Sequence, residues 1–258
     1  MLTQEEVTHY HATGQVTPAF RLDGEVVASI RHKMEALFDA RPDLDPDYAP
    51  SLIEIDQTWL EFAAHAGIVD CVAQLMGDDI IVWGSSFFAK KGTGSKATPW
   101  HQDGQYWPMQ PLAACTVWIA IDPSTVENGC LRVIPGSHKK RKIFDHDIGS
   151  LDTAVLNQCI SAHDMPEAAP IDVELEPGMI SIHDAFTVHG AEPNNSGTRR
   201  AGLTYRYMPT TSHYDRELAA ELGVKQGGLP LEKRQLHLVR GIDRCGRNDV
   251  YTGPVAAA

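Results

Sequence analysis

Long apolar runs are missing from this chain. No stretch approaches the roughly 20 residues that a membrane-crossing helix needs, so no membrane contact is expected. Basic residues are scarce as well: Lys and Arg number 22 against 34 Asp and Glu, a net charge of −12. So acidic a surface repels phosphate backbones and anionic lipid, which argues against a nucleic-acid partner. The five cysteines (71, 115, 130, 159 and 245) are odd in number and scattered, with no CxxC. Neither a disulfide scaffold nor a zinc knot is expected, and a reducing cytoplasm suits such a set. The opening MLTQEEVTHYHATGQ lacks the basic and apolar regions of a secretory signal. Internal repeats and low-complexity segments are absent too. What is present is 258 residues, 43% hydrophobic, enough for one substantial core. Twelve histidines are more than structure alone usually asks for.

A single domain is expected over residues 1–258, with a helical part to about 78, a strand-rich core over about 79–209 and an extension over about 210–258. Thr3 and Glu6 read as a capping box and Gly14 as the end of a first helix. Val26, Val27, Ile30, Met34, Leu37 and Phe38 recur at helical spacing between Asp23 and Ala40, and Pro42 stops the pattern. A third helix is expected from Asp56 to Met76. After Asp79 the texture changes to short β-branched or aromatic runs (80–88, 113–121, 129–136, 171–178, 179–183 and 200–208) bounded by turn residues. Such spacing suits an antiparallel sandwich or barrel better than βαβ units. The stretch from 213 onward is mixed, with a short helix expected over 214–222.

The chemistry centres on His101-Gln102-Asp103, followed 88 residues later by His189-Gly190. In a strand, residues i and i+2 share a face, so His101 and Asp103 are expected to project together. A distal histidine would complete two imidazoles and a carboxylate, the facial triad of non-haem Fe(II) with positions open for co-substrate and dioxygen. The motif alone decides little, since chance gives roughly 1.6 His-x-Asp/Glu occurrences in this composition. A second copy, His213-Tyr214-Asp215, lacks a strand pattern around it. Context favours the first copy. Arg199 and Arg200 follow His189 by ten and eleven residues, and a guanidinium suits the far carboxylate of a dicarboxylate co-substrate. Strand parity separates the two arginines: Arg200, Gly202, Thr204 and Arg206 make a small or polar face, and Ala201, Leu203, Tyr205 and Tyr207 an apolar one. The polar face suits a metal cavity, so Arg200 is the candidate.

TQEEVTHYHATG, HQDGQYWPMQP, TVWIAIDPSTVENGCLRVIPGSHK, PGMISIHDAFTVHGA and RRAGLTYRYMP, in that order, resemble the phytanoyl-CoA hydroxylase-like (PhyH) family of Fe(II)/2-oxoglutarate dioxygenases over most of residues 3–209. The resemblance implies a mainly β fold with helices, a double-stranded β-helix (jelly-roll, cupin-like) core buttressed by N-terminal helices. It implies that His101, Asp103 and His189 bind catalytic Fe(II), that Arg200 anchors 2-oxoglutarate, and that Gln102 and Trp118 line the co-substrate pocket. Dioxygen is the other co-substrate, and a small-molecule substrate is hydroxylated at a C–H bond with release of succinate and CO2. A halogenase needs an open ligand position, which Asp103 fills. Many members carry a Ser after HG that touches 2-oxoglutarate; here it is Ala191, and Thr187 or Thr204 is the expected replacement. Two other classes stay open: a cupin-type metalloenzyme without 2-oxoglutarate, and a non-catalytic metal- or ligand-binding jelly roll.

For the substrate, Arg206 shares the face of Arg200, and Arg132 on a neighbouring strand offers a second cation. Inward arginines need an anionic partner; a structural salt bridge is the plain alternative. Trp100, Tyr106 and Trp107 flank the triad and are candidates to line the pocket against an apolar or ammonium end. An anionic or zwitterionic metabolite such as an aminoalkylphosphonate would suit both ends. Trp83 reads as core filler, His183 as a hydrogen-bonded strand residue, His138 as a loop anchor, Asn128 as a turn residue, and Cys115 and Cys130 as buried small hydrophobes. Lys90, Lys91 and Lys96 read as a solvated loop.

Overall fold

The computed structural model describes residues 1–149, 152, 154–226 and 229–251; residues 252–258 of the expected C-terminal extension lie outside the described residues. Thr3 opens helix α1 (Gln4–Thr13) with both halves of the capping box made: its hydroxyl accepts from the Glu6 amide at 3.2 Å, and the Glu6 carboxylate accepts from the Thr3 amide at 2.7 Å. Gly14, at φ 86°, ends it, a left-handed conformation that glycine adopts without strain. Helix α2 (Gly24–Ala40) buries Val27, Ile30 and Met34. The helix expected over 56–76 is instead broken into a 3-10 turn, Gln57–Trp59, a single turn, Leu60–Ala63, and helix α3 (Ala66–Met76). The break falls at His65, whose Nδ1 accepts from the Gly67 amide at 3.2 Å. That local cap starts a new helix where periodicity alone suggests continuation.

The strands are β1 (Ile80–Lys90), β2 (Thr98–His101), β3 (Cys115–Ala120), β4 (Leu131–Val133), β5 (Ile171–Val173), β6 (Ile180–Asp184), β7 (His189–Ala191) and β8 (Arg200–Pro209), followed by helix α4 (Arg216–Lys225) and β9 (His237–Arg240). The larger sheet runs Gln15–Val16, β6, β3, β8, β1, β9, with Ala49–Pro50 also paired to β1; the smaller runs β5, β4, β7, β2. These pairings are antiparallel, and the two sheets form a jelly roll. Several strands are shorter than their apolar runs, because only the residues that meet a partner in register pair.

Parity on β8 is realised residue by residue. Ala201, Leu203, Tyr205 and Tyr207 join the core made with the N-terminal helices. Tyr205 donates its hydroxyl to the Trp59 carbonyl at 2.7 Å and Tyr207 to that of Ala63 at 2.9 Å, fixing the helical layer to the sheet. The opposite face of β8 looks into the jelly roll. Helix α4 is capped by Asp215, which accepts from the amides of Glu217 and Leu218. The helix thus begins later than expected, and Asp215 is a cap rather than half of a metal motif. No helix among the described residues is long and apolar enough to cross a membrane.

Candidate active site

His101 closes β2, but Asp103 is not two strand positions further along: it begins a 3-10 turn, Asp103–Tyr106. The side chains still converge, through a turn rather than through strand parity. His101 pairs with His189 and Thr98 with Ala191, so three steps on β2 match two on β7. This bulge re-aims the strand beside the site. It brings one nitrogen each of His101 and His189 and one oxygen of Asp103 within 4.8 Å of one another, all three residues buried. His101 Nε2 lies 3.6 Å and His189 Nε2 3.9 Å from Asp103 Oδ1.

The surroundings orient each donor. His101 Nδ1 donates to the Pro99 carbonyl at 2.8 Å, and His189 Nδ1 to that of Thr187 at 2.9 Å. With the proton committed to Nδ1, each Nε2 presents a lone pair toward Asp103 Oδ1, the tautomer a metal ligand requires. The other carboxylate oxygen accepts from the Thr116 hydroxyl at 2.6 Å and faces His183 Nε2 at 3.3 Å. His183 is thereby the hydrogen-bonded strand residue that its place in β6 suggested. Burial alone would raise the Asp103 carboxyl, but the imidazoles packed around it, those of His101, His183 and His189, hold it well below the ordinary range. Burial, with repulsion from His101 and His183, pushes His189 well below its ordinary value and keeps it neutral.

Two chambers meet at this cluster, both bordered by His101, Asp103, Phe88 and Arg206. The inner one, about 50 Å³, is lined by Trp118, Ala191, Thr204 and Arg200 among others. Arg200 is 2% exposed, its Nε has no hydrogen-bond partner, and its guanidinium lies 5.4 Å from the Trp118 ring centre. Burial lowers its pKa to about 10, with Cys130 and Asp47 opposing. Arg199, one residue earlier, forks onto Asp122 at 2.7 and 3.1 Å on the outside of the barrel. The outer chamber, about 300 Å³, is walled by Tyr48, Trp83, Tyr106 and Trp107, with Arg206 and Arg234 reaching in.

Several expected site residues stand elsewhere. Gln102 is fully buried and spends its amide on the carbonyls of Lys142 and Phe186 and the amide of Phe144, bracing a loop away from both chambers. Thr187 donates to the Gly14 carbonyl and Thr204, though it lines the inner chamber, to that of Ser86. Arg132 faces outward between Asp172 and Glu192, the structural salt bridge, because Leu131 and Val133 take the inward parity of β4. Trp100 is turned out by the bulge, packs with Ile134, Phe144, Ile160 and Val188, and carries Arg132 over its ring at 5.7 Å. Lys90 is fully buried at the end of β1, not solvated. Tyr48 and Arg234 in the outer chamber lacked any motif, since they come from flanking segments that meet only in the folded chain. Trp83 serves as core filler against Trp107 and also lines that chamber. His138 anchors a loop on the His11 carbonyl, and Asn128 closes a turn on Thr125 and Pro123.

The family model described as phytanoyl-CoA dioxygenase (PhyH) matches residues 2–202. A probable phytanoyl-CoA dioxygenase of Caenorhabditis elegans is 29% identical over 160 residues, 59% of this chain and 51% of that protein. A probable alpha-ketoglutarate-dependent hypophosphite dioxygenase of Stutzerimonas stutzeri is 32% identical over 144 residues, 54% of this chain and 49% of that protein. The chain thus spans about half the length of these curated relatives. Among solved structures, the non-heme monooxygenase ThoJ superposes with a TM-score of 0.70 at 22% identity, over 92% of this chain and 84% of that one. EctD from S. alaskensis with 2-oxoglutarate and 5-hydroxyectoine gives 0.70 at 18% identity, over 83% and 78%. At such identities the likeness is one of fold.

Proposed function

Because the chain belongs to the phytanoyl-CoA dioxygenase (PhyH) family, we propose that it is an Fe(II)/2-oxoglutarate-dependent dioxygenase that hydroxylates a C–H bond of a small anionic or zwitterionic metabolite. His101, Asp103 and His189 would hold the metal. The donor set fits: two imidazoles whose Nδ1 atoms are engaged by carbonyls, leaving Nε2 directed inward, and a carboxylate whose second oxygen is already held by Thr116. The inner chamber fits a dicarboxylate, because Arg200 is a buried guanidinium with no acceptor for its Nε. A metalloenzyme without 2-oxoglutarate would leave that charge without a use. Bound iron and 2-oxoglutarate would supply the oxidising power for C–H hydroxylation, with dioxygen consumed and succinate and CO2 released. The chain's own part is to orient the ligands, exclude water and place the substrate.

The observation that carries the substrate reading is Arg206. It is 9% exposed, borders both chambers, and among the described residues has only the neutral Ser86 hydroxyl as its hydrogen-bond partner, at 2.8 Å. A cation in that position favours an anion, and the rings of Tyr106 and Trp107 suit an apolar or ammonium end. An aminoalkylphosphonate has both. A cavity of about 300 Å³ lies at the small end of ligand pockets, and an acidic chain offers few cations for the phosphates of an acyl-CoA. The relative described as a hypophosphite dioxygenase is similar in using a small phosphorus oxyanion by its name. The test is succinate release with Fe(II) and 2-oxoglutarate across a panel of phosphonates, amino acids, neutral hydrophobes and acyl-CoAs, on wild type and Arg206→Met. Small anions should turn over best and lose most in the variant. Best turnover of neutral compounds, unaffected in Arg206→Met, would refute the anion reading.

A further inference from the structure

The outer chamber carries fixed charge of mainly one sign. Among the described residues its Asp, Glu, Lys and Arg lining is Arg206, Arg234 and Asp103, and Asp103 belongs to the metal cluster. In a chain of net charge −12, two arginines on one cavity with no further acid make a local positive field. The two stand at different ends. Arg206 also borders the inner chamber, together with His101 and Asp103. Arg234 instead borders a separate surface groove that Ser51, Glu54 and Lys233 line. Neither guanidinium is fully used. Arg206 meets only the Ser86 hydroxyl among the described residues. Arg234 is 9% exposed; Glu54 accepts from its Nη1 at 3.4 Å, and its buried Nε has no partner. The plain alternative, a structural pair with Glu54, thus rests on one long contact and leaves Nε unused. The turn that carries Arg234 is braced from behind. Leu231 and Leu236 pack with Trp83, Trp107 and Tyr214, the Tyr214 hydroxyl donates to the Leu231 carbonyl at 2.9 Å, and Arg216 donates to the Arg234 carbonyl at 2.7 Å. A guanidinium on so fixed a turn loses little freedom on meeting an anion.

We propose that Arg234 determines specificity in the outer chamber, and that the substrate it selects carries two acidic groups, one seated on Arg206 beside the metal cluster and the other on Arg234 at the groove end. This rests on the small-anion reading above and narrows it, from an anion or zwitterion to a dianion with a phosphonate or carboxylate at each end of a short carbon chain. An ammonium end would find no carboxylate outside the metal cluster among the described lining residues, and two guanidiniums to repel it. The rings of Trp83, Tyr106 and Trp107 meet the carbon spacer between the two acids. Both arginines lie beyond residues 2–202, which the family model matches, so the pairing belongs to the last part of β8 and the C-terminal segment of this chain.

The experiment is calorimetric titration of the Ni(II)-loaded protein saturated with 2-oxoglutarate, which reads binding without turnover and keeps the probes out of the inner chamber. The probes are a series of phosphonocarboxylates of increasing chain length, with the alkylphosphonates and aminoalkylphosphonates of matching length. Wild type should bind the best phosphonocarboxylate about tenfold or more tighter than its matched alkylphosphonate, and the aminoalkylphosphonate weakest. Arg234→Met should remove that advantage and leave alkylphosphonate affinity within about twofold; Arg234→Lys should restore part of it. Wild type that prefers the aminoalkylphosphonate, or does not separate phosphonocarboxylate from alkylphosphonate, overturns the proposal and leaves the anion reading in place. So does Arg234→Met that weakens both in parallel, which marks a structural role only. Should Arg234→Met not fold, the wild-type ranking decides alone. Arg206→Met that weakens no phosphonate, or wild type that binds 2-oxoglutarate but no probe, overturns the anion reading and this one with it.

Discussion

Replacing Arg200 by methionine should raise the stability of the metal-free protein while destroying co-substrate binding. The guanidinium is buried with no hydrogen-bonded acid among the described residues, and burial lowers its pKa to about 10. At 1.36 kcal/mol per unit, that depression corresponds to about 3 kcal/mol of unfavourable interaction carried by the folded state. Methionine keeps much of the side-chain volume and gives up the contact with the Trp118 ring, worth about 0.5–2 kcal/mol. The net expectation is a gain of about 1–2 kcal/mol, or a melting temperature higher by several degrees in a chain of this size. Binding moves the other way. Loss of a buried two-pronged partner costs about 2–5 kcal/mol, so 2-oxoglutarate affinity should fall by about 30-fold or more. Arg199→Met gives the opposite profile. It strips Asp122 of its fork, at 2.7 and 3.1 Å, and should cost about 1–3 kcal/mol of stability with co-substrate binding kept. Thermal melts of the metal-free proteins and calorimetry of the metal-loaded ones measure both quantities. A destabilised Arg200→Met that still binds 2-oxoglutarate would refute the reasoning, because Arg200 would then be a structural ion-pair partner.

Asp103→Ala should abolish turnover and weaken Ni(II) binding by more than the roughly 10–100-fold expected for Thr116→Val, which removes only the hydroxyl holding the second carboxylate oxygen; calorimetry of both variants checks the order. Gly202→Ala places a Cβ 1.9 Å from the Trp118 ring, so the ring must leave Arg200. Denaturant titration should show a loss of about 1–3 kcal/mol, and 2-oxoglutarate binding should weaken with it. Tyr205→Phe leaves the buried Trp59 carbonyl without its 2.7 Å donor and should cost about 1–3 kcal/mol without changing the KM for 2-oxoglutarate. Lys90 gives a pH signature: its folded pKa of about 7 lies below its unfolded value, so the unfolded chain binds more protons between the two. Stability of the metal-free wild type should therefore rise with pH above 7, and Lys90→Met should lack that rise.

Local chemistry was legible in the residues themselves. The Thr3–Glu6 box and Gly14 bound a helix because capping involves only neighbours along the chain. The alternation in RAGLTYRYM assigned Arg200 inward and Arg199 outward because a strand's period of two holds wherever the strand lies. His101, Asp103 and His189 could be grouped from motif and resemblance, although the turn and bulge that aim them were not visible as such. Long-range placement decided the rest. Arg132 and Trp100 have the composition of pocket residues, yet inter-strand register turns them outward. Lys90 sits in a polar, lysine-rich stretch, and only its pairing with Arg200 carries it into the interior. Arg234 enters the outer chamber from beyond the barrel strands because the C-terminal segment packs against it. Periodicity tells which way a side chain leaves its own strand; what it meets there depends on segments far along the chain, and only the tertiary structure brings those together.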